Sequence, residues 1–293
     1  VSAGKLDGNG TIRAEGGDTP GHGGGGGGGR MDFSGVDDWD FNGSISVAGG
    51  DNSFMGQGQG GDAGTARFPL NQDLVVGDGK TYLVGHDGSN RYDLGSGTLT
   101  VQSGGTFRMG GHTEGNGSAA VLAAAAITIE AGGVFSSDGL GFGHASGPGK
   151  GEGIHWEGAG GSHGGAGGDT PLHSSGDIGA GGSPYGSWEF PNSLGSGGGR
   201  DNDHNRLGGD GGGAVILEVN GTLRIDGLLS SDGTDGTGGT VEAIRTHRPE
   251  SSDYSLRARL GCHGLRRGQR GHRLLARRHP QSRGRRRRQR RRL

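Results

Sequence analysis

The chain has one cysteine, Cys262, in 293 residues, which excludes an internal disulfide framework and fits either redox compartment. Aromatic residues make up 5% of the chain and hydrophobic residues of all kinds 28%, too few to supply an ordinary globular core. The longest nearly apolar run, residues 119–129, is 11 residues long, against the ~20 that a membrane helix needs. No leader is visible before Val1. Its absence decides nothing, because the chain reads as a fragment or a mature form. Acidic residues nearly vanish beyond residue 250, where Asp253 stands among 16 arginines.

Glycine is what the chain has in abundance: 75 residues, about one quarter of the total against an average near ~7%. Such a composition by itself points to low complexity or disorder. Two features argue otherwise for the first 250 residues: apolar residues fall into short alternating runs, and the runs repeat. Repeats that each bury a small face against a neighbour need less apolar content than a globule. The formal net charge of −2 conceals a division. Residues 1–250 carry 13 cations against 30 anions, a net of −17, whereas residues 251–293 carry +15. An acidic body repels nucleic acid and anionic membranes and attracts cations and basic surfaces.

The first unit is GNGTIRAEGGD (residues 8–18) and the second FNGSISVAGGD (41–51), with Asn9 and Asn42 33 residues apart. In each, Asn-Gly predicts a turn with positive φ, followed by a strand in which Ile12 and Ala14, or Ile45 and Val47, share a face. A glycine run and a short strand follow each unit, at RMDF (30–33) and TARF (65–68). LVVGDGKTYLVG and SGTLTVQSGGTFRMGG each predict two strands around a glycine turn. The stretch 119–139 repeats that plan; its alanines favour helix, but the β-branched ITI and the flanking glycines favour strand. AVILEVNGTLRIDGLLSSDG (214–233) returns to the pattern, and its end nearly copies ITIEAGGVFSSDG (127–139).

Between these copies lies a glycine-dominated stretch that can form neither an α-helix, where each glycine costs ~1 kcal/mol relative to alanine, nor a half-buried strand. The expectation is an ordered lobe of extended threefold polyglycine helices packed side by side, pairing backbone groups between neighbours, with the few aromatics capping or anchoring it. From about residue 247 the pattern stops. The Arg-rich tail fits either an out-of-frame continuation, which is preferred, or a basic arm for polyanions; in both readings it is disordered.

Several kinds of chemistry compete with plain turn formation as readings of the polar residues. Ca2+ is the one cation the residues suggest, with Asp201 and Asp203 in DNDHN (201–205) and Asp232 and Asp235 in DGTDG (232–236) as candidate ligands. Neither stretch fits the nonapeptide calcium repeat, and Asp-Gly is a common turn former, so turns and a solvated loop are preferred. His155, His163 and His173 fit no short zinc spacing; they could stack in a polyglycine lobe, with surface exposure the expectation. Asp37, Asp38 and Asp40 around Trp39 offer carboxylates beside a ring that could stack on sugar, the one candidate site for a carbohydrate-active enzyme; an acidic loop is preferred. Strand hydroxyls at Thr11, Ser44, Thr98, Thr128 and Thr222 are too few for a flat ice-binding array. The many GxGxxG matches lack the helix that a phosphate loop requires. Four Asn-Gly-Ser/Thr sequons occur, at Asn9, Asn42, Asn116 and Asn220, and the structural reading as strand-initiating turns is preferred.

The order of strand unit, GPG (147–149), GGSHGG (160–165), a spacer with Pro184 and Tyr185, GSGGG (195–199) and GGDGGGAVILEV (208–219) resembles glycine-rich repeat regions of very large surface and secreted proteins. Those are adhesin-like and matrix-like proteins built on parallel β-helices. The resemblance spans roughly residues 1–245 and lends no catalytic residue. It implies a fragment of a larger extracellular or cell-surface protein with a structural or adhesive, non-enzymatic role. The implied partners are neighbouring repeats, further copies of itself or surface glycans. The expected architecture is all-β: β-solenoid units with glycine-rich linkers over 1–140, a polyglycine II-like lobe over 141–213, returning units over 214–246, and the tail 247–293.

Overall fold

Three- to five-residue runs in which alternate side chains are apolar build most of the strands. The computed structural model describes residues 1–19, 23–51, 60–85, 91–115, 117–201 and 206–236; the Arg-rich tail and Cys262 lie outside them. Among the described residues the chain is all-β, without a helix, and all but one of its strand pairings are parallel. A six-stranded sheet stacks Thr11–Arg13, Ser44–Ser46, Thr81–Val84, Thr106–Met109, Val134–Ser136 and Leu228–Ser230. A four-stranded sheet stacks Leu74–Val76, Thr98–Val101, Ala126–Ile129 and Leu223–Ile225. A three-stranded sheet stacks Arg91–Asp93, Ala120–Ala124 and Val215–Val219. From Leu74 onward the chain visits the four-, six- and three-stranded sheets in that order, again and again. The alanine-rich run is a strand, as its β-branched ending favoured.

Register turns alternation into columns. In the six-stranded sheet Ile12, Ile45, Tyr82, Phe107, Phe135 and Leu229 are successive partners, and in the four-stranded sheet Leu74, Leu99, Ile127 and Leu223 are. The scarce aromatics are concentrated here. Phe33, Trp39, Phe41, Phe68, Tyr82, Tyr92, Phe107 and Phe135 form one continuous run of ring contacts, with centroids 5.1–6.5 Å apart. Burial holds the Tyr82 hydroxyl far above its ordinary pKa, so it stays protonated and donates to the Phe41 carbonyl oxygen at 3.3 Å.

The Asn-Gly turns differ from expectation. Gly10, Gly43 and Gly221 do not take positive φ. At the first two corners the chain bends, at Asn9 and at Gly43, and Asn42 and Ser44 donate to the carbonyls of Gly8 and Gly10 in the layer beneath. Glycine is needed at Gly43 for close approach, because a Cβ there would overlap the Gly10 carbonyl oxygen and the Phe41 ring. Positive φ falls instead one residue before Asn9, at Gly8, at Gly117, and at tight turns such as Gly79 and Gly104.

The glycine runs are joined into bundles. The segment around 47–51 bonds to three others: Gly16 donates to Ala48 (2.8 Å), Gly50 to Gly26 (2.7 Å), and Gly61 to Gly50 (2.9 Å). Residues 194–200 have four neighbours. They accept from Phe142 and Ala145 and from Gly151, they pair with 159–162 through Ser196 and Gly199, and Gly195 and Gly198 donate to Gly212 and Gly209. A β-strand bonds two neighbours at most, so this packing extends in two dimensions across the segments. A Cβ at Gly197 or Gly199 would overlap the carbonyl oxygen of Gly143 or Glu152. The Cα–H groups there point at those oxygens and make Cα–H···O contacts, each contributing about 0.5–1 kcal/mol.

The expected anchoring by aromatics holds for Phe142, which is buried, and for Tyr185, whose hydroxyl donates to Leu194 and accepts from Ser196. It fails for Trp156, Trp188 and Phe190, which are exposed. Every long glycine run leaves after a strand of the six-stranded sheet. The runs rejoin at Arg30–Asp32, at Thr65–Arg67 and, after the longest excursion, at Val215–Val219.

Two contrasts test this packing. Phe107→Ala should destabilise the chain by about 3–5 kcal/mol in chemical denaturation, since Phe107 is fully buried between Tyr82 and Phe135. Gly197→Ala should cost about 1–3 kcal/mol and accelerate amide exchange across 158–213. Gly168→Ala, where a Cβ meets open space, should change stability by no more than about 0.5 kcal/mol. Equal effects of the two glycine substitutions would contradict the bundle.

Candidate functional site

The tip of the long glycine excursion gathers the densest set of chemically capable side chains. Gly153–Ile154 and Glu157–Gly158 pair antiparallel, with Ile154 opposite Glu157, so His155 and Trp156 form the two-residue loop of a hairpin. His155 has φ of 40°, the left-handed region that such loops require at one position and that usually takes Gly, Asn or Asp. From this loop the His155 ring stacks on His173, with centroids 4.3 Å apart and planes 19° from parallel. Trp156, 53% exposed, meets the His173 ring edgewise at 5.7 Å.

Ser175 sits at the centre of the polar groups. Its Oγ lies 2.7 Å from Asp177 Oδ2, 2.8 Å from His173 Nδ1 and 3.2 Å from His155 Nε2, while His155 Nε2 also lies 3.0 Å from Asp177 Oδ2. The Ser175 backbone N–H points at His173 Nδ1 at 3.2 Å, which assigns that nitrogen as an acceptor and places the His173 proton on Nε2. His155 Nε2 then carries a proton shared with Asp177. The hydrogen bond from His155, then that from Ser175, and the charges of both histidines hold the Asp177 carboxyl below its ordinary pKa.

Serine, histidine and aspartate within hydrogen-bond reach invite comparison with a nucleophilic triad. There the carboxylate orients the imidazole through one nitrogen while the other faces the hydroxyl. Here Asp177 binds the hydroxyl itself and the same nitrogen of His155 that approaches it. The geometry is that of a fixed polar cluster. Nor does it gather a metal: stacked imidazoles direct their nitrogen lone pairs along nearly parallel planes. Among the described residues no three His, Cys, Asp or Glu side chains form a metal-binding group.

The other candidates lie apart. Asp201 is buried, and its Oδ1 accepts from the Arg206 amide at 2.8 Å; Asp203 lies outside the described residues. Asp232 donates its amide to Asp138 Oδ1 at 2.6 Å, and Asp235 is exposed. His163 is partly buried and contacts Ser193 at 2.8 Å and the Tyr185 ring, and burial lowers its pKa. The stretch at 37–40, expected as an acidic loop with a sugar-stacking tryptophan as the alternative, enters a strand at Trp39. Trp39 is 7% exposed and packs on Phe33, Phe41 and Phe68, because alternation in Trp39–Phe41 turns residues 39 and 41 inward and Asp40 outward. Its ring is not available as a sugar platform, and Asp38 and Asp40 face Lys5 at 3.6 and 2.8 Å. A row of hydroxyls runs Thr11, Ser44, Thr81, Thr106 and then ends at Val134, while the parallel outward row reads Arg13, Ser46, Leu83, Arg108. A shallow cleft of about 380 Å³ is lined by Lys150, Glu152, Arg200 and Ala145, with Gly151 and Gly153.

The chain matches no protein-family model, no curated protein and no solved structure in the comparisons made.

A carboxyl held by these partners titrates early. In a carbon-detected NMR titration Asp177 should protonate below the ordinary carboxylate range, and His155→Ala should move its midpoint back up. Its contribution to the cluster is present above the ordinary carboxylate pKa and is lost as pH falls through the depressed value. An unchanged midpoint in His155→Ala would show that the histidine does not hold it.

Proposed function

We propose that this chain is an extracellular structural or adhesive module, non-enzymatic, in which a parallel β-solenoid carries polyglycine II-like bundles and associates with further copies of itself. The recurrent order of the three parallel sheets and their side-chain columns support the solenoid. Segments bonded to three or four neighbours support the polyglycine II description.

The observation that carries the self-association is glycine where the fold does not demand it. Within the bundles, a Cβ at Gly197, Gly199 or Gly211 would overlap a neighbouring carbonyl. Gly17, Gly27 and Gly168 face outward, have no positive φ, and would meet nothing within 4 Å of a Cβ. A bare glycine surface allows another extended chain to approach to backbone contact, where solvent-facing peptide groups would supply the bonds. The net of −17 on residues 1–250 opposes this contact at low ionic strength and is screened by salt. A carbohydrate-active enzyme is the weaker reading, since Trp39 is core and Asp38 and Asp40 face Lys5.

Sedimentation at physiological salt tests the proposal. The chain should associate with rising concentration, and the triple variant Gly17→Glu, Gly27→Glu, Gly168→Glu should fold normally yet remain monomeric. A monomer at every concentration, or a triple variant that associates as well as the parent, would count against it.

A further inference from the structure

Most positive-φ positions among the described residues are glycine; Asn71, Ala145 and His155 are the exceptions, and of these only His155 brings a ring to a cluster of polar side chains. About every fourth residue is glycine, yet a position with φ of 40°, where glycine fits without strain, is occupied by histidine. A non-glycine residue held in this region costs on the order of 1–3 kcal/mol, and such strain concentrates at binding sites. What the histidine provides is a ring that stacks on His173 and reaches Asp177 and Ser175, beside a tryptophan left half-exposed.

We propose that Trp156, His155, His173, Ser175 and Asp177 form a binding site for a neutral hexopyranose, such as a terminal or internal sugar of a surface glycan. The proposal rests on the adhesive reading and gives it a ligand class. A pyranose ring has an apolar C–H face, which an exposed indole covers, and a rim of hydroxyls that both donate and accept. The cluster matches that rim. Its internal bonds use Asp177 Oδ2, His155 Nε2 and His173 Nδ1, which leaves the His173 Nε2–H as a donor and Asp177 Oδ1 as an acceptor beside the indole. A wholly apolar ligand would strand these polar groups. Uronic acids and sulfated sugars would face the Asp177 carboxylate on an acidic body. A cationic group would suit the indole and the carboxylate but would meet the His173 N–H as a like-signed dipole. The stacked, hydrogen-bonded side chains are ordered before a ligand arrives, which lowers the entropy cost of binding.

Isothermal titration of the full 293-residue chain with cellotetraose, mannotetraose and galactobiose, together with tryptophan emission, tests the site. At least one of these sugars should bind and shift the emission. Trp156→Ala and Asp177→Asn should each weaken binding at least tenfold, with amide exchange over 158–213 unchanged, and Trp188→Ala, in the separate exposed spacer, should bind as the parent does. No binding of any of the three at millimolar concentration overturns the site. So does undiminished binding by Trp156→Ala and Asp177→Asn, or retention of choline or an arginine peptide alone. A chain that self-associates but binds no sugar overturns this site and leaves the assembly reading. One that binds sugar through Trp156 but stays monomeric keeps the site and overturns assembly.

Discussion

Backbone hydrogen bonding without side chains between the partners is the constraint on which the long excursion depends. Residues 194–200 can serve four neighbouring segments because the segments approach, at Gly197 and Gly199, to a distance at which a Cβ would strike a carbonyl oxygen. The glycine segments lie in neither helix nor regular strand, and their inner peptide groups find their partners on other segments. Each segment is therefore both structure and solvent substitute for those around it. The bundle then holds its outer loops in place: the hairpin at His155 is fixed because Gly153 and Gly158 lie against Arg200 and Gly199.

The molecule thus contains two interiors of different chemistry. One is packed by side chains, with eight aromatic rings in a continuous run and columns of leucine, isoleucine and valine. The other is packed by peptide groups, with few buried side chains such as Leu194 and Phe142. The first draws its stability from removing apolar surface from water, the second from dipoles and close contact. A composition with 28% hydrophobic residues suffices because only the first interior consumes them.

The strands were legible because alternation of two is a pattern that side chains carry. Leu99 with Val101 and Phe107 with Met109 each fall within a strand, and Ile12 does too, with Ala14 one residue past the strand's end. The 33-residue step from Asn9 to Asn42 appears in the register as Thr11 opposite Ser44. The burial of Trp39 is not legible, because the run DDWDF does not reveal which alternate set turns inward. Inside the glycine runs, neighbour relations leave no trace in a sequence without side chains. The tip cluster joins residues 18–22 positions apart with no motif spacing. The one available signal was a His-Trp pair and an HSSGD stretch standing out from glycine.

The strand register has a consequence for how such chains grow. Val134 follows Thr106 after 28 residues and Leu228 follows Val134 after 94, yet both pairs lie side by side in the same sheet with the same alignment. The difference is accommodated at one corner, between the six-stranded and three-stranded sheets. That corner is a splice point: length added there leaves the strand ladder undisturbed. A longer or shorter glycine excursion at that corner would leave the register of the sheets beneath it as it is.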